Sequence, residues 1–327
     1  MTTSRYLSET NFDFSNKTVL VRIDCDVDLR KEKRTWLVDE DFRLKAVLPT
    51  IHFLQEKQVK KIILLGHLGR PKGKVVKELS LKPVADWFAK QKVKVDLFEN
   101  LRFSPKEQEN DLGFTKKLAK GADVFVNDAL AVSHRRDASI VGLPKILPSF
   151  LGLRFESEIK VLSWIRKSIP RPLVFVLGGS KSDKVDYLKF LSDFADYLLV
   201  GGKLPLLTDY KNKKMILAKL SKNKRDLSSE SIEEFKKVIN LAKGIIWAGP
   251  MGVYEEEENQ KGTFEVAKAI TKSQAFKVAC GGDTHRVISR LNIWDRFDFV
   301  SVGGGATLQF LQKQTLPGIE AITCQKF

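Results

Sequence analysis

Short apolar runs in this chain stop again and again at glycine or at charge. Ile62-Ile63-Leu64-Leu65 breaks at Gly66 into a loop that holds His67 and Arg70 and closes on Pro71 and Gly73. Leu173–Leu177 runs into Gly178-Gly179-Ser180-Lys181, Tyr197–Val200 into Gly201-Gly202-Lys203, and Gly244–Trp247 into Gly249-Pro250-Met251-Gly252. Val278–Cys280 leads to Gly281-Gly282-Asp283-Thr284, and Phe299–Val302 to Gly303-Gly304-Gly305. Runs this short and this apolar suit strands covered on both faces of a parallel sheet. Amphipathic segments lie between them, which is the alternation of a doubly wound α/β sheet. Such sheets bind ligands at the carboxyl ends of their strands, so the loops are where chemistry is expected.

The first half predicts a strand over Thr18–Val27, with Arg22, Asp24 and Asp26 on one side at period two. Taken alone, that pattern predicts a solvated face; the alternative is that the charges meet a ligand and one another. Asp41–Gln58 predicts a helix through Leu44, Val47, Leu48, Ile51 and Leu54, kinked at Pro49. Further helices are expected over Ser80–Gln91, with Ser80 as cap, and over Phe114–Lys120. Strands are expected at Val95–Phe98 and at Asp123–Val126, the latter leading into Asn127-Asp128-Ala129. A charged helix over Phe155–Lys167 and the Pro170-Arg171-Pro172 link mark a domain junction. In the second half Val185–Phe194 and Ser231–Leu241 read as helices. Lys211–Arg225, with seven basic residues and no acid, reads as a solvated loop holding one short strand. The tail from Leu316 is too short for a domain and is expected to dock onto one.

The net charge of +16 favours anionic partners, whether polyanions or phosphorylated metabolites. Three separated cysteines, Cys25, Cys280 and Cys324, argue against a disulfide framework or a zinc site and fit a reducing compartment. No run approaches membrane-spanning length, and a soluble cytoplasmic protein is expected. No P-loop motif, no GxGxxG after the first strand and no Ser-His-Asp set is present. The glycine loops Gly281–Thr284 and Gly303–Thr307 open helices, where free N–H groups favour phosphate. Asp283 in one of them suits Mg²⁺ shared with phosphate oxygens. The first half offers Arg22, Arg43, His67, Arg70, Arg102, His134 and Arg135, which suit a small, doubly anionic ligand. Together these suggest phosphoryl transfer across a cleft.

Nine ordered motifs, VRIDCDV, Asp41–Ile51, GHLGRPKGK, ENLRF, VNDALAVSHRRDAS, LGGSKSDK, WAGPMGVYE, GGDT and SVGGGATL, resemble those of phosphoglycerate kinases, as does the LPGIEAI tail. The resemblance implies two doubly wound, Rossmann-like domains joined by a helix hinge. Residues 1–154 with the tail 314–327 would bind the glycerate, 155–170 would link, and 171–313 would form a truncated nucleotide-binding domain. It implies reversible transfer between 1,3-bisphosphoglycerate and ADP, giving 3-phosphoglycerate and ATP, by a monomer using Mg²⁺. Asp24, Asp26, His67, Arg70, Arg102 and Arg135 would hold the glycerate and its phosphate. Arg43 and Lys181 would reach the transferring phosphoryl group, with backbone N–H groups of Gly304 and Gly305. Lys184, Gly281, Gly282, Asp283 and Thr284 would hold nucleotide phosphates, Asp283 the metal, and Glu255 the ribose. The acceptor is a carboxylate, ionised at neutral pH, so the site needs charge neutralisation and positioning but no general base.

The chain departs from the family pattern. Asp26 stands where Asn is usual, Ala131 and Ser228 where Gly is usual, and Trp247-Ala248-Gly249-Pro250 where the family has WNGP. Gly202-Lys203 replaces the GGGM-type turn. Lys181 and Lys184 are three apart instead of four, and the stretch between Leu204 and Ile245, which walls the adenine pocket, is much shorter. Two readings follow: a minimised active kinase with poor base discrimination, or a catalytically impaired relative that binds anions or nucleic acid. The retained phosphate-facing residues favour the kinase.

Overall fold

A computed structural model describes residues 5–33 and 35–325. The chain forms two compact units, Met1–Val161 with Lys313–Phe327, and Leu162–Gln312.

The first unit begins with β1 (Thr18–Ile23), a hairpin of β2 (Leu29–Glu32) and β3 (Thr35–Val38), and α1 (Phe42–Glu56). β4 (Lys61–Leu65), α2 (Lys82–Lys90), β5 (Asp96–Leu97), α3 (Pro105–Gln108) and α4 (Leu112–Ala119) follow, then β6 (Val124–Asp128) and β7 (Ser149–Leu151). The parallel sheet has the order β5-β4-β1-β6-β7. All six residues of β1 are buried, because alternate side chains enter different cores. Val19, Val21 and Ile23 pack with Leu44, Val47, Ile51 and Leu54 of α1, whereas Leu20 joins Phe125 and Leu118 on the other face. Two covered faces are what makes the strand sequences nearly continuous in apolar residues.

Some expected boundaries move. β1 stops at Ile23, so Asp24 and Asp26 lie on the loop beyond it. α1 runs unbroken through Pro49, whose missing N–H leaves only the Lys45 carbonyl without its helical partner. α2 starts at Lys82, and Ser80 still serves its first turn by accepting the Lys82 N–H at 3.2 Å. The β2–β3 hairpin was not expected.

α5 (Leu153–Ser168) leads into the second unit. There β8 (Leu173–Leu177), α6 (Leu188–Phe194), β9 (Tyr197–Val200), β10 (Met215–Leu217), α7 (Ser229–Ile239), β11 (Gly244–Ala248), α8 (Lys261–Lys272), β12 (Phe276–Cys280), α9 (Gly282–Leu291) and β13 (Phe299–Ser301) follow. The parallel sheet order is β10-β9-β8-β11-β12-β13. Parallel strands usually need a helical crossover. The β9-to-β10 connection has only a 3₁₀ turn at Leu204–Leu206. The basic run Lys211–Arg225 holds β10 and its cations are largely exposed, as expected, although some of them have partners. Lys214 donates to the Ala195 carbonyl at 3.0 Å, Lys219 pairs with Glu230 at 3.1 Å, and Arg225 pairs with Glu256.

α10 (Gly305–Lys313) is followed by α11 (Pro317–Thr323), which docks on the first unit. The Gly318 N–H donates to Ser133 O at 2.9 Å, and a Cβ at Gly318 would lie 2.8 Å from that of Ser133. Among the described residues no helix is long and apolar enough to cross a membrane.

Candidate functional site

In each sheet the winding reverses beside the first strand of its unit: β1 lies between β4 and β6, β8 between β9 and β11. Open α/β sheets bind ligands at that switch point, beyond the strand carboxyl ends. The predicted residues gather there within each unit.

In the first unit Arg22 and Asp24 are buried, which corrects the solvated-face reading for two of its three charges. Arg22 is 1% exposed and Asp24 5%. They are tolerated because they meet other charged and polar groups. Arg22 donates from Nη2 to His67 Nδ1 at 3.0 Å, from Nε to Ser139 Oγ at 2.9 Å, and to the Ile23 carbonyl. Asp24 pairs with Arg43 of α1 at 3.1 Å. Burial pushes the Asp24 carboxyl up, and Arg43 pulls it back. Burial, with Arg22, Arg102, Arg135 and Arg43 nearby, holds His67 well below the usual histidine range. A neutral imidazole that accepts at Nδ1 must hold its proton on Nε2. Nε2 lies 3.9 Å from Asp26, too far to hydrogen-bond, so this donor stays available.

Asp26 is exposed and serves the fold as well. Its Oδ1 accepts the Gly69 N–H at 2.8 Å, and its carbonyl accepts from Arg43 at 2.9 Å. Gly69 adopts φ +63°, so the carboxylate fixes a left-handed turn beyond β4. Cys25 explains Gly66: a Cβ there would sit 2.1 Å from its sulfur.

Arg102 is 5% exposed and donates from Nη1 to the Gly69 carbonyl at 3.2 Å. Its Nε and Nη2 and the Nε of Arg135 are buried without a hydrogen-bond partner. Burial and the neighbouring Arg135 bring the Arg102 pKa down to about 10. Orphaned cationic donors in a buried place are costly unless an anion completes them. Arg70 is exposed, with no hydrogen bond or ion pair to another described residue. Sequence reasoning missed Asp137, Ser139 and Glu107. They lie on irregular or very short elements, where no periodicity marks them.

In the second unit Lys181 is exposed and opens the turn after β8. Lys184 turns inward: its Nζ donates to Gly178 O at 2.6 Å and Ala248 O at 2.9 Å, tying the ends of β8 and β11 together. Burial lowers its pKa to about 8. Gly249 is required here, because at φ +112° a Cβ would lie 2.4 Å from Gly178 O as well as 2.6 Å from Nζ. Thr284 is also committed, donating to Cys280 O at 2.8 Å and accepting the Gly249 N–H at 2.7 Å. Gly281, at φ +96°, caps α9, whose first residue is Gly282. The two glycine loops abut, since a Cβ on Gly304 would lie 3.2 Å from the Gly281 Cα. α10 opens at Gly305, and its first-turn N–H groups lack helical acceptors. Asp283 is half exposed on the first turn of α9 and pairs with Arg286 at 3.1 Å. Glu255 is exposed, whereas its neighbour Glu256 is held by Arg225 and Asn259. Among the described residues no group of three or more His, Cys, Asp or Glu side chains could hold a metal by itself. One accessible carboxylate beside free helix N–H groups fits Mg²⁺ that arrives with nucleotide phosphates.

The family model for phosphoglycerate kinase matches residues 10–96, 88–221 and 206–314. The chain is 34% identical to the phosphoglycerate kinase of Solibacter usitatus, covering 97% of this chain and 99% of that protein. It is 35% identical to that of Leptospira biflexa, over 97% of each. The Solibacter alignment spans 388 positions, 61 more than the 327 residues here, so the relative has stretches that this chain lacks. Among solved structures, phosphoglycerate kinase from Pyrococcus horikoshii superposes with a TM-score of 0.77 at 28% identity, over 98% of each chain. That from Coxiella burnetii gives 0.73 at 30% identity, over 97% of this chain and 98% of that one. This chain belongs to the phosphoglycerate kinase family.

Proposed function

We propose that the protein is a phosphoglycerate kinase, transferring a phosphoryl group reversibly between 1,3-bisphosphoglycerate and ADP to give 3-phosphoglycerate and ATP. The observation that supports this best is the set of unpartnered donors on Arg102 and Arg135 beside the neutral His67. A phosphate would complete the arginines, and the His67 Nε2–H would donate to a glycerate oxygen. Residues 1–154 with 314–327 are assigned to the glycerate and 171–313 to the nucleotide. Asp24, Asp26, Arg70, Arg102 and Arg135 orient the substrate, while Arg43 and Lys181 neutralise the moving phosphoryl group with the N–H groups of Gly304 and Gly305. Gly281–Thr284 meet the nucleotide phosphates, and Glu255 the ribose. Lys184 acts mainly by holding the two strand ends beneath them. Asp283 holds Mg²⁺, which adds charge neutralisation at the phosphates. We take the protein to act as a cytoplasmic monomer. The polyanion reading gains no support, since part of the basic run is paired within its own unit.

The test is ATP-dependent phosphorylation of 3-phosphoglycerate with Mg²⁺ by the parent, Arg43→Ala and Lys181→Ala. Turnover in the parent that is largely lost in both variants is expected. A folded parent without turnover would sink the reading.

A further inference from the structure

Behind His67 lies a buried chain of hydrogen bonds. Glu107, on α3, is 1% exposed, and Ser139 is fully buried. The Ser139 hydroxyl donates to Glu107 Oε1 at 2.5 Å, and the Ser139 N–H donates to Oε2 at 3.1 Å. A hydroxyl has a single proton. Once that proton is committed to the carboxylate, the Ser139 oxygen faces Arg22 with lone pairs only. It accepts the Nε–H of Arg22 at 2.9 Å, and Arg22 Nη2 then donates to His67 Nδ1 at 3.0 Å. Arg22 can only donate, so wherever it is held against Nδ1 that nitrogen must accept, and Ser139 with Glu107 fixes where it is held.

From this geometry we infer that Glu107 and Ser139 are positioning residues: through Arg22 they fix His67 as the Nε2–H tautomer, which presents a donor to the substrate. The inference rests on the assignment of this pocket to 3-phosphoglycerate, but the relay is a property of the free protein. The guanidinium is buried, and its counter-charges are Asp24, Asp137 and Glu107, the last reached through one hydroxyl. Without Ser139 the Nε–H loses its acceptor, and the Ile23 carbonyl is the hydrogen-bond anchor left to hold Arg22 against Nδ1, so the guanidinium can shift away from it. His67 then takes either tautomer. The Nδ1–H form would present a lone pair to an anionic ligand where a donor is needed.

Glu107→Gln tests the same link by a different route. The amide replaces one acceptor oxygen with an NH₂ group, so a donor must face either the Ser139 N–H or the Ser139 hydroxyl proton. The hold of Glu107 on Ser139, and through it on Arg22, weakens with little change in volume.

The experiment is long-range ¹H–¹⁵N NMR of the histidine rings in the full-length protein, alone and with 3-phosphoglycerate. His67 signals are assigned by their loss in His67→Gln. In the parent, Nδ1 is expected to be unprotonated and Nε2 protonated. Ser139→Ala and Glu107→Gln should both give mixed tautomers and weaken 3-phosphoglycerate binding roughly tenfold, the scale of one buried hydrogen bond. Circular dichroism identifies a variant that has not folded, and the other variant then decides. An Nδ1–H tautomer in the parent, or parent-like His67 signals in a folded variant, would overturn the inference. Tautomer changes as expected in a protein that does not bind 3-phosphoglycerate would support the relay while removing the substrate assignment.

Discussion

Thr50 donates its hydroxyl to Asp128 at 2.6 Å, and neither side chain has appreciable contact with water. The other carboxylate oxygen accepts the Phe155 N–H at 2.8 Å, so Asp128, at the end of β6, caps the first turn of α5. Burial nevertheless raises its pKa to about 6. Between about pH 4 and pH 6 the folded protein therefore binds a proton that the unfolded chain does not, and stability falls as pH rises through that window. For this one group the loss is about 3 kcal/mol. Urea unfolding at several pH values should show a difference between the parent and Asp128→Asn that changes by this order across the window. Parallel curves would refute it.

Gly66→Ala should destabilise the first unit by roughly 1–3 kcal/mol through overpacking. The new Cβ would sit 2.1 Å from the sulfur of the buried Cys25, but 3.6 Å from its Cβ. Adding Cys25→Ala removes only the clashing atom, so the double variant is expected to be more stable than Gly66→Ala alone. Thermal denaturation of the parent and the two variants decides this, and the idea fails if the second substitution deepens the loss.

Arg102→Met should separate stability from function. It removes a buried charge with two unpartnered donors, beside the like charge of Arg135. Replacing such a group by an apolar one of similar length should stabilise the free protein by about 1–2 kcal/mol. The same change should weaken 3-phosphoglycerate binding at least about a hundredfold, because two charge-assisted hydrogen bonds are lost. Chemical denaturation and calorimetric titration check the two halves; lower stability together with intact binding would contradict both.

Nucleotide base selectivity should be poor. The β9-to-β10 connection has no α-helix, and the family match is rejoined at residues 206–221. That is the stretch read as a shortened adenine wall. GTP is expected to support turnover within about tenfold of ATP, a discrimination of less than about 1.4 kcal/mol. A preference of several hundredfold for ATP would mean that other residues rebuild the wall.

The parallel sheets were legible because strands buried on two faces are largely apolar, as β8 and β11 are. Residue type alone singled out Arg43, His67, Arg102 and Asp283 as candidates, and the fold brings the first three together beyond β1. The alternation Arg22, Asp24, Asp26 misled, because period two cannot distinguish water from a partner: β1 ends after Arg22, and Arg43 and His67 arrive from elsewhere in the chain. The loop of Lys184 suggests a phosphate ligand, and in the free protein two backbone carbonyls take two of its ammonium's three donors beside Gly249. Glu107 had no signal, since a single buried acid in a four-residue helix looks like any surface glutamate, and Ser139 lay in a motif without a task of its own.

The packing of α11 beside Ser133 sets an order on synthesis. The unit whose sheet leaves the ribosome first lacks a wall until residues 317–325 emerge, after the whole of the second unit. The opening half of the chain must wait, partly assembled, for its own last piece. The second unit has all of its strands in hand before that piece arrives.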